Sequence, residues 1–161
     1  MSNVAARDWS QYVMPSFQSR PTAIVYKFVE KDPQILSRPA RDPKLFFLHD
    51  QLDKIAVLPA NWDTNQSAKP DSVAIENARQ MLEDAFRHPS TASIWQNPYL
   101  SVSEDGEVVL EWWNGVRKLT IYVGAEGATF LKSWGLHLIN DMEDGVLPDN
   151  WVPRIWAWLF E

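Results

Sequence analysis

Two carboxylates in this sequence stand where a fold could bring them together for acid–base chemistry: Asp63, in the run Asn61-Trp62-Asp63, and Glu111, beside Trp112. A hydrolytic pair needs one acid and one base at definite spacing, with a further donor or metal ligand to hold the substrate. No such third group is visible. Asn61 and Asp63 are equally suited to accepting hydrogen bonds from amides of their own loop, and a strand-borne Glu111 has an ion-pair partner in Lys118 across a hairpin. The structural reading of both carboxylates is therefore the stronger one, and the sequence assigns no catalytic residue.

Other routes to chemistry are thinner. His49, His88 and His137 lie in separate elements without a ligand spacing, and there is no Gly-rich phosphate loop, His-Glu-x-x-His run or nucleophile elbow. The absence of Cys rules out disulfides, thiolate catalysis and Cys-based zinc sites. No cofactor or metal is called for.

What stands out is aromatic content, with 9 Trp in 161 residues. Most such rings fill cores, but Trp and Tyr also anchor interfaces. Trp9, Tyr26, Tyr99, Trp113, Tyr122 and Trp156 are the candidates for contact with a partner. Charge points the same way. Residues 1–50 carry 7 basic against 5 acidic side chains, and residues 51–161 carry 8 against 16, for a total of −6. A duplex-binding face needs clustered Lys and Arg, so direct nucleic-acid binding is disfavoured. A protein partner or a homodimer fits better. No apolar run reaches membrane-spanning length and no signal-peptide pattern opens the chain, so the expected location is cytoplasmic, away from the membrane.

The elements that must position these residues read as one α+β domain over 43–161, preceded by an arm over 1–42 that Pro15, Pro21, Pro33 and Pro39 interrupt. Within the arm, Thr22 to Val29 has strand character. Asp42 as N-cap and Pro43 at the first position predict a helix to about Val57, with an apolar stripe of Leu45, Leu48, Leu52, Ile55 and Ala56. Pro70 opens a second helix, which runs to about Arg87.

An antiparallel β-meander of at least four short strands then packs with these two principal helices. Asn114-Gly115 is the preferred pair for a type I′ turn. It sets Trp113 opposite Val116, Glu111 opposite Lys118, Leu110 opposite Leu119 and Val108 opposite Ile121. Before it, a three-residue loop of Glu104, Asp105 and Gly106 pairs Val102 with Val108 and Leu100 with Leu110. Gly106 takes the left-handed bulge position there. One face gathers Val108, Leu110, Leu119, Ile121 and Val123; the sequence does not fix which face the helices cover, and this cleaner apolar face is the better candidate. The other is mixed and holds Tyr99, Glu111, Trp113, Lys118 and Tyr122. A strand follows from Ala128 to Trp134, then an acidic, turn-like stretch from Asp141 to Pro148. A short C-terminal helix from Trp151 to Phe160 buries Trp151, Ile155, Trp158 and Leu159 and turns Trp156 elsewhere.

Asn61-Trp62-Asp63, Ala68, Pro70, Ala78, Asp105-Gly106 and Glu111-Trp112 together carry a resemblance. The segment from about Leu45 to Val123 resembles a group of small bacterial and phage-encoded proteins of uncharacterised function. In that group a helix leads into an Asn-Trp-Asp-Gly loop, a Pro-started helix and a hairpin ending in Glu-Trp. Thr64 stands where that pattern usually has Gly, a departure that bears on the backbone of the loop. The resemblance implies a shared fold rather than a shared chemistry. The leading functional expectation is a non-catalytic protein-binding module, an inhibitor or accessory factor of a bacterial or phage system. A carboxylate-dependent hydrolase with an atypical site and a structural homo-oligomer are the alternatives.

Overall fold

The computed structural model describes residues 42–137 and 140–161. Helix α1 (Pro43–Ala56) starts where the sequence places it: Asp42 Oδ1 accepts from Lys44 N at 2.8 Å, and Pro43 occupies the first turn. Leu48 and Leu52 are fully buried. Helix α2 (Ser72–Arg87) corrects the expectation that Pro70 opens it. Asp71 is the cap, its carboxylate accepting from Val73 N and Ala74 N at 2.7 and 3.0 Å, so buried Pro70 lies one position outside. Its apolar stripe of Ala74, Ile75, Ala78, Met81, Leu82 and Ala85 is buried throughout. At its end, the Thr91 hydroxyl donates to Ala85 O at 2.6 Å and satisfies a last-turn carbonyl.

Five antiparallel strands follow in sequence order: β1 (Tyr99–Val102), β2 (Val108–Asn114), β3 (Arg117–Val123), β4 (Ala128–Ser133) and β5 (Met142–Val146). The β1–β2 register is the expected one, with Leu100 opposite Leu110, Val102 opposite Val108 and Gly106 at φ +84°. The β2–β3 register is not. Asn114 pairs with Arg117, so the two-residue loop is Gly115-Val116, and Leu110 faces Ile121 while Val108 faces Val123. Gly115 has φ +60° and Val116 does not turn positive, the arrangement of a type II′ turn rather than I′. Asn114 stays in the strand and spends its amide on Leu159 O at 2.9 Å. The slip is by two residues, an even number, so every side chain keeps its expected face.

The acidic stretch expected to be turn-like contains β5, which pairs along β4 from Ser133–Met142 to Thr129–Val146.

The apolar face of the sheet meets both helices. Here α1 packs on α2 and β1, and α2 packs on β2 and β3. Asn77 Nδ2 donates to Gly124 O and Ala125 O at 3.0 and 3.3 Å, tying α2 to the β3–β4 turn. The core is closed by the C-terminal segment, a π-helical turn (Val152–Trp156) running into α3 (Ala157–Phe160). Its carbonyls at Trp158 and Leu159 accept from the Arg117 guanidinium and the Asn114 amide, which satisfies part of the helix end.

The π turn overturns one expectation. With i→i+5 closure, Trp156 comes round to the side of Trp151. Trp156 is 1% exposed, stacked on Trp95 at 5.5 Å and 9° and edge-on to Trp112 at 5.7 Å, so it is a core ring and not an outward one. Trp158, placed by helical spacing on the buried face, is half-buried instead and lies beneath the cations of Arg117 and Lys132 at 5.6 and 5.1 Å.

Candidate functional site

Alternation along β1, β2 and β3 sends Tyr99, Glu111, Trp113, Lys118, Thr120 and Tyr122 to the face away from the helices. Two rings stay wet there. Tyr99 is 61% and Trp113 47% exposed, with centroids 6.5 Å apart and planes at 62°. Tyr122 is half-buried. The Lys118 ammonium sits 5.0 Å over the Trp113 ring and pairs with the Glu111 carboxylate. Because of the register slip this ion pair is diagonal: Lys118 lies opposite Trp113, and Glu111 lies opposite Thr120, whose hydroxyl is 3.4 Å away.

Of these residues, Tyr99, Glu111 and Trp113 form one wall of a groove of about 400 Å³ at the α1–β1 edge, lined also by Phe47, Gln51, Gln96, Asn97, Pro98 and Trp112. Two indoles hold the segment that leads into β1. Trp112 Nε1 donates to Gln96 O at 2.9 Å, and Trp95 Nε1 donates to Asn97 Oδ1 at 2.8 Å. The groove is thus built on a strand and on a loop pinned to the core.

Sequence reasoning finds Tyr99, Glu111 and Trp113 in this site and misses Phe47, 51% exposed on α1. A signal existed, since Phe46 and Phe47 both fall off the apolar stripe of their helix. The amides were not legible, because nothing local to Gln51, Gln96 or Asn97 tells that a helix and a loop will converge there.

The other expected site residues lie elsewhere. Trp9 and Tyr26 are outside the described residues. Trp112 borders the groove but is 2% exposed and belongs to the core. Asn61, Trp62 and Asp63 organise the loop between the helices: Asn61 Oδ1 accepts from Gln66 N at 2.8 Å, and Asp63 accepts from Asn65 N at 3.0 Å and from the Ser67 hydroxyl at 2.6 Å. The Ser67 hydroxyl, followed by the Asn65 amide, holds the Asp63 carboxyl below its ordinary pKa. Asn61, Thr64 and Gln66 all have left-handed φ, of +61°, +66° and +64°. Thr64 therefore occupies, with a β-branched side chain, a conformation that Gly takes without strain. The half-buried Trp62 has its Nε1 out of solvent contact and without a hydrogen-bond acceptor among the described residues.

Each of the two carboxylates is thus engaged by its own neighbours. Among the described residues no cluster of three His, Cys, Asp or Glu could hold a metal ion, and no helix is long and apolar enough to cross a membrane.

Compared with known proteins, the chain matches no family model, no curated protein and no solved structure.

Proposed function

We propose that this chain is a non-catalytic protein-binding module whose contact surface is the groove walled by Phe47, Tyr99 and Trp113. The observation that carries this is the exposure of Tyr99 and Trp113, at 61% and 47%, on one face of a sheet whose other face buries Trp112 with Trp95, Trp151 and Trp156 in a continuous core. Tyr and Trp on a preformed surface offer large contact area at little ordering cost, which makes them the usual anchors of interfaces. Neither Asp63 nor Glu111 is poised for proton transfer to a substrate. One is committed to Ser67 and Asn65, and the other to Lys118. The resemblance noted above adds only the setting, a bacterial or phage system, in which such a module would serve as an inhibitor or accessory factor.

The test is affinity capture from the native host with the wild-type chain and with Tyr99→Ser/Trp113→Ser, alongside sedimentation of each protein alone. A partner, or self-association, that the double substitution abolishes while thermal stability is kept supports the proposal. A partner retained by the double variant would move the contact surface elsewhere.

A further inference from the structure

We infer that residues 22–29 of this chain pair with the free edge of β1 as a sixth strand and fill the groove beside it.

The groove touches both sides of the sheet. Phe47 and Gln51 reach it from α1, in the helix layer, while Tyr99, Glu111 and Trp113 belong to the opposite face. The space beside β1, in the plane of the sheet, is where the two sets meet. Among the described residues β1 pairs with β2 alone, so its outward N–H and C=O groups face that space. An occupant there has backbone to bond on one side and side chains to meet above and below, which is the position of a strand.

The two edges of the sheet differ in how they are guarded. β5 exposes Glu143 and Asp144, and charge on an edge strand discourages strand addition. β1 is Tyr-Leu-Ser-Val, without charge, and Phe47, Tyr99 and Trp113 stand around it at 51%, 61% and 47% exposure. An uncharged edge beside open rings invites another strand unless the protein supplies its own.

The arm can supply it. Asp42, where the arm meets α1, is only ~8 Å along the helix axis from Phe47, so the arm departs from the rim of the groove. Residues 22–32 lie between Pro21 and Pro33, and every residue of 22–29 keeps its N–H for a ladder. In a strand, Ile24, Tyr26 and Phe28 fall on one side and Ala23, Val25 and Lys27 on the other. Such a segment, apolar on both sides but for one lysine, suits a site with a helix above and rings below. Residues 30–41 span up to about 40 Å when extended, ample for the return to Asp42. Pairing within one chain needs no second molecule.

One consequence rests on the protein-binding reading above. If the groove is the contact surface, residues 22–29 are its built-in competitor, and a partner reaches Tyr99, Trp113 and the β1 edge by displacing them.

The experiment is disulfide trapping in the full-length chain, which contains no Cys, so that an introduced pair supplies every thiol. Ser101→Cys, on the same face of β1 as Tyr99, is combined in turn with Ala23→Cys, Ile24→Cys, Val25→Cys, Tyr26→Cys and Lys27→Cys. Each variant is oxidised at low concentration and run on non-reducing gels. Opposed residues of neighbouring strands have Cα atoms about 4.5–5.5 Å apart, within disulfide range, whereas the residues between them point away. Intramolecular disulfides are expected at alternate positions of the series, roughly fivefold or more above the same series paired with Asp144→Cys on β5. In the Cys-free chain, Val25→Pro should speed hydrogen exchange at the outward amides of β1 roughly tenfold or more and leave β5 unchanged. Disulfides without alternation, equal trapping at β5, bonds formed only between molecules, or exchange indifferent to Val25→Pro would each overturn the inference. The partner reading would then rest on its own capture test. Alternating intramolecular disulfides together with capture indifferent to Tyr99 and Trp113 would remove that reading and leave the sixth strand standing.

Discussion

Asp63 supports a loop through its charge. Its carboxylate takes the Ser67 hydroxyl and the Asn65 amide, and both bonds favour the ionised form and depress its pKa. A group whose pKa is lower folded than unfolded contributes stability above its unfolded value and loses it as pH falls through the folded one. That contribution should be level above about pH 5 and decline below about pH 4. Ser67→Ala should move the Asp63 pKa back up toward the ordinary carboxylate range in a carboxyl NMR titration, and Asp63→Asn should flatten the corresponding part of the acid limb in urea melts. An Asp63 titration unmoved by Ser67→Ala would show the hydroxyl to be irrelevant. At this scale the sequence was legible where bonding is local. Asx-type acceptance by Asn61 and Asp63 follows from residue type, and Glu111 and Lys118 meet because an even register slip leaves both on one face. Trp156 was illegible, since helical spacing presumes 3.6 residues per turn and the Val152–Trp156 turn is wider.

The hairpins are the elements on which most depends, and Gly106 is where one of them docks. It has φ +84°, and a Cβ there would lie 2.6 Å from Lys69 O. The same turn accepts from Ala68 N through Glu104 O and from Asp71 N through Gly106 O, at 2.7 and 3.0 Å, seating it on the chain that enters α2. Gly106→Val combines left-handed strain with a backbone collision and should cost roughly 2–4 kcal/mol in chemical denaturation. A loss under half of that would mean that the turn can shift away from Lys69. The β1–β2 register was readable because hydroxyls at Ser101 and Ser103 could not share the core face with Leu110 and Val108. The β2–β3 register was not, because the choice between Asn114-Gly115 and Gly115-Val116 turns on Leu159, which lies far along the chain. Strand β5 escaped notice for a related reason: Met142–Val146 has no apolar alternation of its own and is recruited by β4, with Lys132 reaching Glu143 at 2.6 Å.

For the molecule as a whole, the decisive contact joins the last segment to the middle of the chain. Trp151, Val152, Ile155, Trp156 and Leu159 are all buried against the sheet and against Trp95 and Trp112. Replacing one large core ring by Ala costs about 3–5 kcal/mol, and whole domains are stable by about 5–15 kcal/mol. A chain ending at residue 150 should therefore lack a cooperative thermal transition, and Trp156→Ala alone should lower the melting temperature sharply. Cooperative unfolding of the truncated chain near the wild-type temperature would mean that helices and sheet close a core without it. The same contact sets an order of events during synthesis. Hairpins joined in sequence order can form as each strand leaves the ribosome, since their partners are close in the chain. Trp95 and Trp112 must wait for Trp156. Until the final segment emerges, translation holds out a half-built sheet with two large rings in water, a nascent species that any chaperone with affinity for aromatic surface would meet before the finished protein exists.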